Sequence, residues 1–135
     1  METGIQMDVL KEPKLKLIII ILLLISAPVS AEWINYLTDS NGNEYFYNNT
    51  QINRTSDSMI VWERVRHKVP LLEVIGSSES HMHIGCERKQ FQQFKISFYF
   101  DQNWKNQHGK TGNDKKKREF VPSSSMEYLA KLLCR

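Results

Sequence analysis

HMHIGCERKQFQQFKISFYF, residues 81–100, holds two alternating runs on either side of a polar turn. In the first, Met82, Ile84 and Cys86 share one side of an extended chain, and His81, His83 and Gly85 share the other. In the second, Phe94, Ile96, Phe98 and Phe100 alternate with Gln93, Lys95, Ser97 and Tyr99. The spacing predicts two adjacent strands joined through Glu87–Gln90, each with one apolar face. Cys86 lies on that apolar face. The only other cysteine, Cys134, is the penultimate residue of the chain.

Working outward, the amino end reads as an export leader. Lys11, Lys14 and Lys16 precede an unbroken apolar run from Leu17 to Ile25, and Pro28-Val29-Ser30-Ala31 supplies compact residues at a cleavage site. Residues 1–31 are therefore taken as a signal peptide and residues 32–135 as one domain. The alternative is an uncleaved anchor, but the run is about half of the roughly 20 residues a spanning helix needs. The chain has 135 residues, and its 41% hydrophobic content suits a globular protein. Removing the leader takes away three lysines and three acids, so the net charge stays at +3. In an exported domain of about 104 residues a covalent staple assists a modest core, and two cysteines are read as a pair. Linking Cys86 to Cys134 is worth roughly 4 kcal/mol in the chain-entropy account.

Between the leader and residue 81, Trp33, Ile34, Tyr36 and Leu37 mark an opening strand, and Tyr45, Phe46 and Tyr47 its return. Asn41-Gly42 between them predicts a type I′ turn. The polar stretch 48–57 reads as an edge connection. Met59–Val69 is a long β-prone segment with neither side cleanly apolar, so its first half is expected to be covered and its second to run into solvent. Pairing should stop near Pro70, which has no N–H to donate. Leu71–Gly76 is a connection leading through Ser77–Ser80 into the 81–86 strand. Beyond Phe100, Asp101–Asp114 is polar and expected to be the least ordered part of the domain. Glu119-Phe120-Val121 suggests a short last strand. Ser124 with Glu127 forms a capping box, and Met126, Leu129 and Leu133 give one apolar helical face. The sum is an α+β fold: a single antiparallel β-sheet of about six strands with a C-terminal α-helix tied to the sheet by one disulfide.

Several patterns carry candidate chemistry. His81-x-His83 places two imidazoles on one side of a strand, with Glu79 and Glu87 nearby, but spacing supplies no third metal ligand and no nucleophile motif accompanies them. A small secreted hydrolase using this pair with Glu79 or Glu87 as acid and base is a remote alternative, and the sequence names no cofactor, no metal and no catalytic residue. Lys115, Lys116, Lys117 and Arg118, with Lys110, Lys105 and Trp104 nearby, suit polyanions or an acidic partner. Nucleic acid is not expected for an exported chain of small net charge. Tyr99 and Phe91 are expected to face outward as contact residues, and Trp62 and Phe98 to lie in the core. Asn48-x-Thr50 and Asn53-x-Thr55 match glycosylation acceptors.

In order and spacing, several elements resemble the surface-adhesin protein E family of exported bacterial proteins. They are Trp33 soon after the leader; Gly42 followed by Tyr45 and Tyr47; Ile52 and Arg54; Val61-Trp62; Ser80–Cys86 with Glu87-Arg88; Phe98-Tyr99; and Val121-Pro122-Ser123 before a helix ending at Cys134. The resemblance covers nearly all of 32–135. It implies an antiparallel sheet whose carboxy-terminal helix is fixed by a Cys86–Cys134 disulfide. It also implies a non-catalytic adhesin that binds host matrix or envelope proteins at the cell surface, with a periplasmic ligand-binding or structural accessory as the alternative. The leader lacks the lipidation cysteine of a lipoprotein, and no family binding residue falls in the lysine-rich segment.

Overall fold

The computed structural model describes residues 32–111 and 114–134, so the leader read over 1–31 lies outside the described residues. Eight strands form one antiparallel sheet: β1 (Trp33–Thr38), β2 (Glu44–Asn48), β3 (Asn53–Arg54), β4 (Ser58–Leu71), β5 (Ile75–Gly85), β6 (Gln90–Tyr99), β7 (Gln107–Thr111) and β8 (Arg118–Glu119). They occupy six rows in the order β1-β2-β4-β5-β6-β7. β3 shares the β4 edge with β2, and β8 shares the β6 edge with β7. The expectation of about six strands is thus corrected to eight. β8 overlaps the short last strand read at Glu119–Val121, whereas β3 was not read and, at two residues, is too short for a periodic signal.

The other missed strand, β7, lies in the segment expected to be least ordered. There the Asp101 carboxylate accepts hydrogen bonds from the backbone N–H groups of Asn103, Lys105 and Asn106. One acid thus folds the polar loop, and the chain returns to pair with β6. β5 also begins earlier than periodicity suggests, because serines are weak strand formers but fit here. Ser77, Ser78 and Ser80 are buried, and Gly76 has no room for a side chain: a Cβ there would come within 2.7 Å of the Phe100 carbonyl oxygen. The β4–β5 ladder is irregular between Arg66 and Leu71, around Pro70.

The β1–β2 turn is not type I′. Only Gly42 has positive φ, and the Gly42 N–H bonds to the Asp39 carbonyl. A turn centred on Ser40-Asn41 is therefore followed by a left-handed glycine. Asp39 decides this by accepting from the Asn41 and Asn43 N–H groups.

The helix α1 (Ser125–Leu133) buries Met126, Leu129, Ala130 and Leu133. Ser124 caps it by accepting from the Glu127 N–H, and Glu127 in turn lies 3.4 Å from the Ser123 N–H. The apolar face meets Met59 and Val61 of β4 and Met82 and Ile84 of β5. At the helix's carboxyl end the Arg54 guanidinium donates to the Leu133 carbonyl, a cation where the helix dipole favours one. Cys86 and Cys134 are joined, with 5.7 Å between their Cα atoms.

Register assigns the remaining apolar residues to faces. A bulge in β6 opposite His81/Met82 reverses the alternation. Ile96 and Phe98 pair with Ser80 and Ser78 on the helix side, whereas Phe94 meets His81 on the other. Phe91, expected outward, instead pairs with Ile84 and packs on the core. Trp62, expected in the core, pairs with His81 on the face away from the helix. Phe98, also expected in the core, is half-buried but outside the core cluster, and lines an apolar groove with Leu71, Leu72 and Ile75.

Near the amino end of α1 the helix-side face turns polar. Glu63 is 6% exposed and accepts from the Tyr36 hydroxyl, and Tyr36 stacks on Tyr128 at 6.3 Å. Burial pushes the Glu63 carboxyl up to about 7, against the opposing pull of the Tyr36 hydrogen bond. Further along, His67 lies against Ser78 at 3.1 Å, and burial holds its pKa below the usual histidine value.

Two outcomes follow. Cys86→Ala with Cys134→Ala should lower the unfolding free energy by about 2–4 kcal/mol, measured by denaturant titration. Because the folded Glu63 pKa lies above the unfolded value of 4.5, its stabilisation is complete below that value and lost as pH rises through about 7. Relative to Glu63→Gln, the wild type should therefore lose up to about 3 kcal/mol between pH 4.5 and pH 8. His67 acts in the opposite sense but is common to both proteins, so the difference between them isolates Glu63.

Candidate functional site

Strand alternation sends Trp62, Arg64 and Arg66 of β4 away from the helix. Phe46 of β2 pairs with Arg64, and Trp33 of β1 with Asn48 at the end of the same row. From β5 the same side receives Glu79 and His81. No helix covers this face among the described residues. The side chains cover one another instead.

Two stacked groups result. In the first, the Arg64 guanidinium lies 4.2 Å from the Trp33 ring centre and 4.9 Å from that of Trp104. Arg66 sits over Phe46 at 5.4 Å and Trp104 at 5.1 Å, and Trp104 meets Phe46 edge-on at 5.7 Å. Each such contact contributes about 0.5–1 kcal/mol where half exposed. In the second, Trp62 lies flat on His81 at 4.1 Å, His81 touches Phe94 at 4.4 Å, and Lys95 stands over Trp62 at 5.7 Å.

Acids orient the two arginines. Arg64 donates through Nε to Glu79 at 2.7 Å, and Arg66 through Nη1 to Glu44 at 3.1 Å and through Nε to the Gln102 carbonyl. Among the described residues Arg64 makes its hydrogen bond through Nε alone. Trp104 is fixed from beneath: its indole N–H donates to the Ser78 carbonyl at 2.9 Å, and its backbone N–H bonds to the Ser77 hydroxyl. The arrangement offers flat π faces interleaved with guanidinium donors, a chemistry suited to carboxylate, amide and aromatic groups of another protein.

The residues singled out in the sequence do not form one patch. Trp104 and Tyr99 come to the open face at the Ser77 end of β5. Arg118 pairs with Phe91 at the opposite end of β6, where Lys117 lines a small cleft with His83, Arg88 and Gln92. Lys115, Lys116, Lys117 and Arg118 are all exposed, and Lys110 belongs to β7 opposite Ser97. His81 is taken up by stacking, and Glu79 by Arg64. Among the described residues no group of three or more His, Cys, Asp or Glu could hold a metal ion. Of the two glycosylation patterns, Asn48 is 2% exposed and its side chain holds the Thr50 N–H and hydroxyl, which leaves it inaccessible. Sequence reasoning missed Trp33, Phe46, Arg64 and Arg66 as a unit. The Trp-x-Arg-x-Arg alternation of residues 62–66 was the available signal.

Comparison with known proteins adds the following. A family model described as surface-adhesin protein E matches residues 33–135. No curated protein matches the chain. Three structures of Haemophilus influenzae protein E superpose on it, each at 14% identity and over 79% of this chain. Crystal form II gives a TM-score of 0.60 over 90% of its own length. A second structure gives 0.56 over 86%, and a selenomethionine form 0.55 over 88%. At this identity the likeness speaks to the fold alone.

The open face has a measurable signature. Burial against Trp62, followed by the charge of Lys95, holds His81 below the ordinary histidine value. In an NMR titration His81 should show this depressed pKa, and Trp62→Ala should move it back toward 6.5; an ordinary His81 pKa in the wild type would show that the stack does not form.

Proposed function

Because the chain belongs to the surface-adhesin protein E family, we propose that it is an exported, non-catalytic envelope or surface protein that works by binding another protein. The contact is made by the open face of the sheet. One observation carries this reading: two arginines are held flat among Trp33, Phe46 and Trp104 on a face that no helix covers among the described residues. Tryptophan and arginine are the residue types that most often dominate binding energy in protein interfaces, and here their rotamers are set before a partner arrives. The family resemblance supports host matrix or envelope proteins as the partner class, and the leader over residues 1–31 supports export.

A second reading assigns polyanion binding to the other end of β6. It rests on the four exposed cations Lys115–Arg118 and on Lys117 sharing a cleft with His83 and Arg88. The two readings differ in salt response, since exposed charges are screened within about 8 Å at physiological ionic strength.

The test is binding to a panel of purified host matrix and serum proteins. Trp33→Ala with Arg64→Ala should weaken capture by at least about tenfold while circular dichroism stays unchanged. Lys115→Glu with Lys116→Glu should change it little. Loss confined to the lysine variant, together with steep salt dependence, would transfer the site to the basic segment. Surface labelling of intact cells separates the adhesin from a periplasmic accessory: a protein labelled only after the outer barrier is opened is not an adhesin.

A further inference from the structure

Nine helical residues span about 13 Å, whereas the eleven residues of β5 span about 36 Å, so α1 leaves one end of the sheet uncovered. At that end the β4–β5 hairpin projects. Its turn, closed by the Val74 N–H on the Leu71 carbonyl, places Leu72 and Glu73 at φ 50° and 66°. This is the backbone of a type I′ turn, which Asn-Gly forms without strain. A leucine in the left-handed region is unfavourable, and this one is 90% exposed. Neither local conformation nor burial accounts for it.

The tip is also part of a larger apolar surface. Val69, Leu71 and Val74 on the hairpin and Phe100 at the end of β6 are exposed as well. Leu71, Leu72, Ile75 and Phe98 line an almost entirely apolar groove closed on one side by His108. Exposed cations flank the hairpin on both adjoining segments. Lys68 lies three residues before Leu71 and Lys105 in the loop that packs on Gly76, and both are exposed; Glu73 is the one acid on the turn itself. Asp101, in contrast, is occupied by its own loop.

An apolar projection with a basic rim matches the boundary between acyl chains and anionic headgroups. We infer that the β4–β5 hairpin tip docks on an anionic lipid bilayer, with Leu72 and its aliphatic neighbours inserted shallowly and Lys68 and Lys105 against the headgroups. Glu73 limits the depth of insertion and opposes the surface charge. The site adjoins the Trp104 end of the open face but does not depend on the role proposed for that face.

Hydrogen exchange of the full-length protein with vesicles reads the tip directly, whatever the rest of the chain does. Vesicles of phosphatidylcholine with phosphatidylglycerol should slow exchange in peptides spanning 69–75 by at least about threefold, and phosphatidylcholine alone should not. Leu72→Asp should abolish the slowing while exchange in α1 stays as in the wild type, and Glu73→Gln should increase it. Exchange at 69–75 that is unchanged by anionic vesicles overturns the proposal. So does slowing that survives Leu72→Asp, or that is equal on both kinds of vesicle.

Discussion

One short helix packed on a much longer sheet is the constraint from which the rest of the architecture follows. α1 is too short to persist alone in water and gains its stability from burying Met126, Leu129, Ala130 and Leu133 against β4 and β5. The disulfide and the Arg54 contact hold its carboxyl end over the Met59–Ile84 half of the sheet. Everything the helix does not reach must be covered some other way or left in water.

The face away from the helix is covered by its own side chains. Arginine suits that task, since its planar cation stacks on tryptophan without leaving a buried unpaired charge, provided an acid such as Glu79 or Glu44 orients it. A face built in this manner is ordered yet still half exposed, the combination a contact surface needs. On the helix side, the same shortage of cover leaves Glu63 buried beside Tyr36 rather than beneath an apolar residue. The carboxyl therefore prefers its protonated form, and the stability of the helix–sheet contact depends on pH.

Much of this was legible in the residues. The alternation of 81–86, the capping box at Ser124 and the spacing of Met126, Leu129 and Leu133 reflect local periodicity, which every strand or helix must obey whatever it packs against. The joining of Cys86 to Cys134 followed from there being two cysteines in a chain read as exported. The family resemblance drawn from short motifs agrees with the match over 33–135. Less legible were the features set by one residue acting at a distance. Asp101 gathers backbone N–H groups across a polar loop, Asp39 diverts an Asn-Gly turn from its usual geometry, and one extra residue in β6 sends Phe94 to the opposite face from Ile96 and Phe98.

The sequence by itself determined the antiparallel sheet, the terminal helix and their covalent link, because hydrophobic period, capping chemistry and cysteine count are properties of neighbours along the chain. Only the tertiary structure decided which aromatic residues lie in the core and which on the open face. It also brought Trp33, Phe46, Arg64 and Trp104 into one stack and left a leucine at the hairpin tip in solvent. The physical reason is that pairing register and bulges set the side on which each residue falls, and these depend on partners tens of residues away, whose contribution no local pattern records.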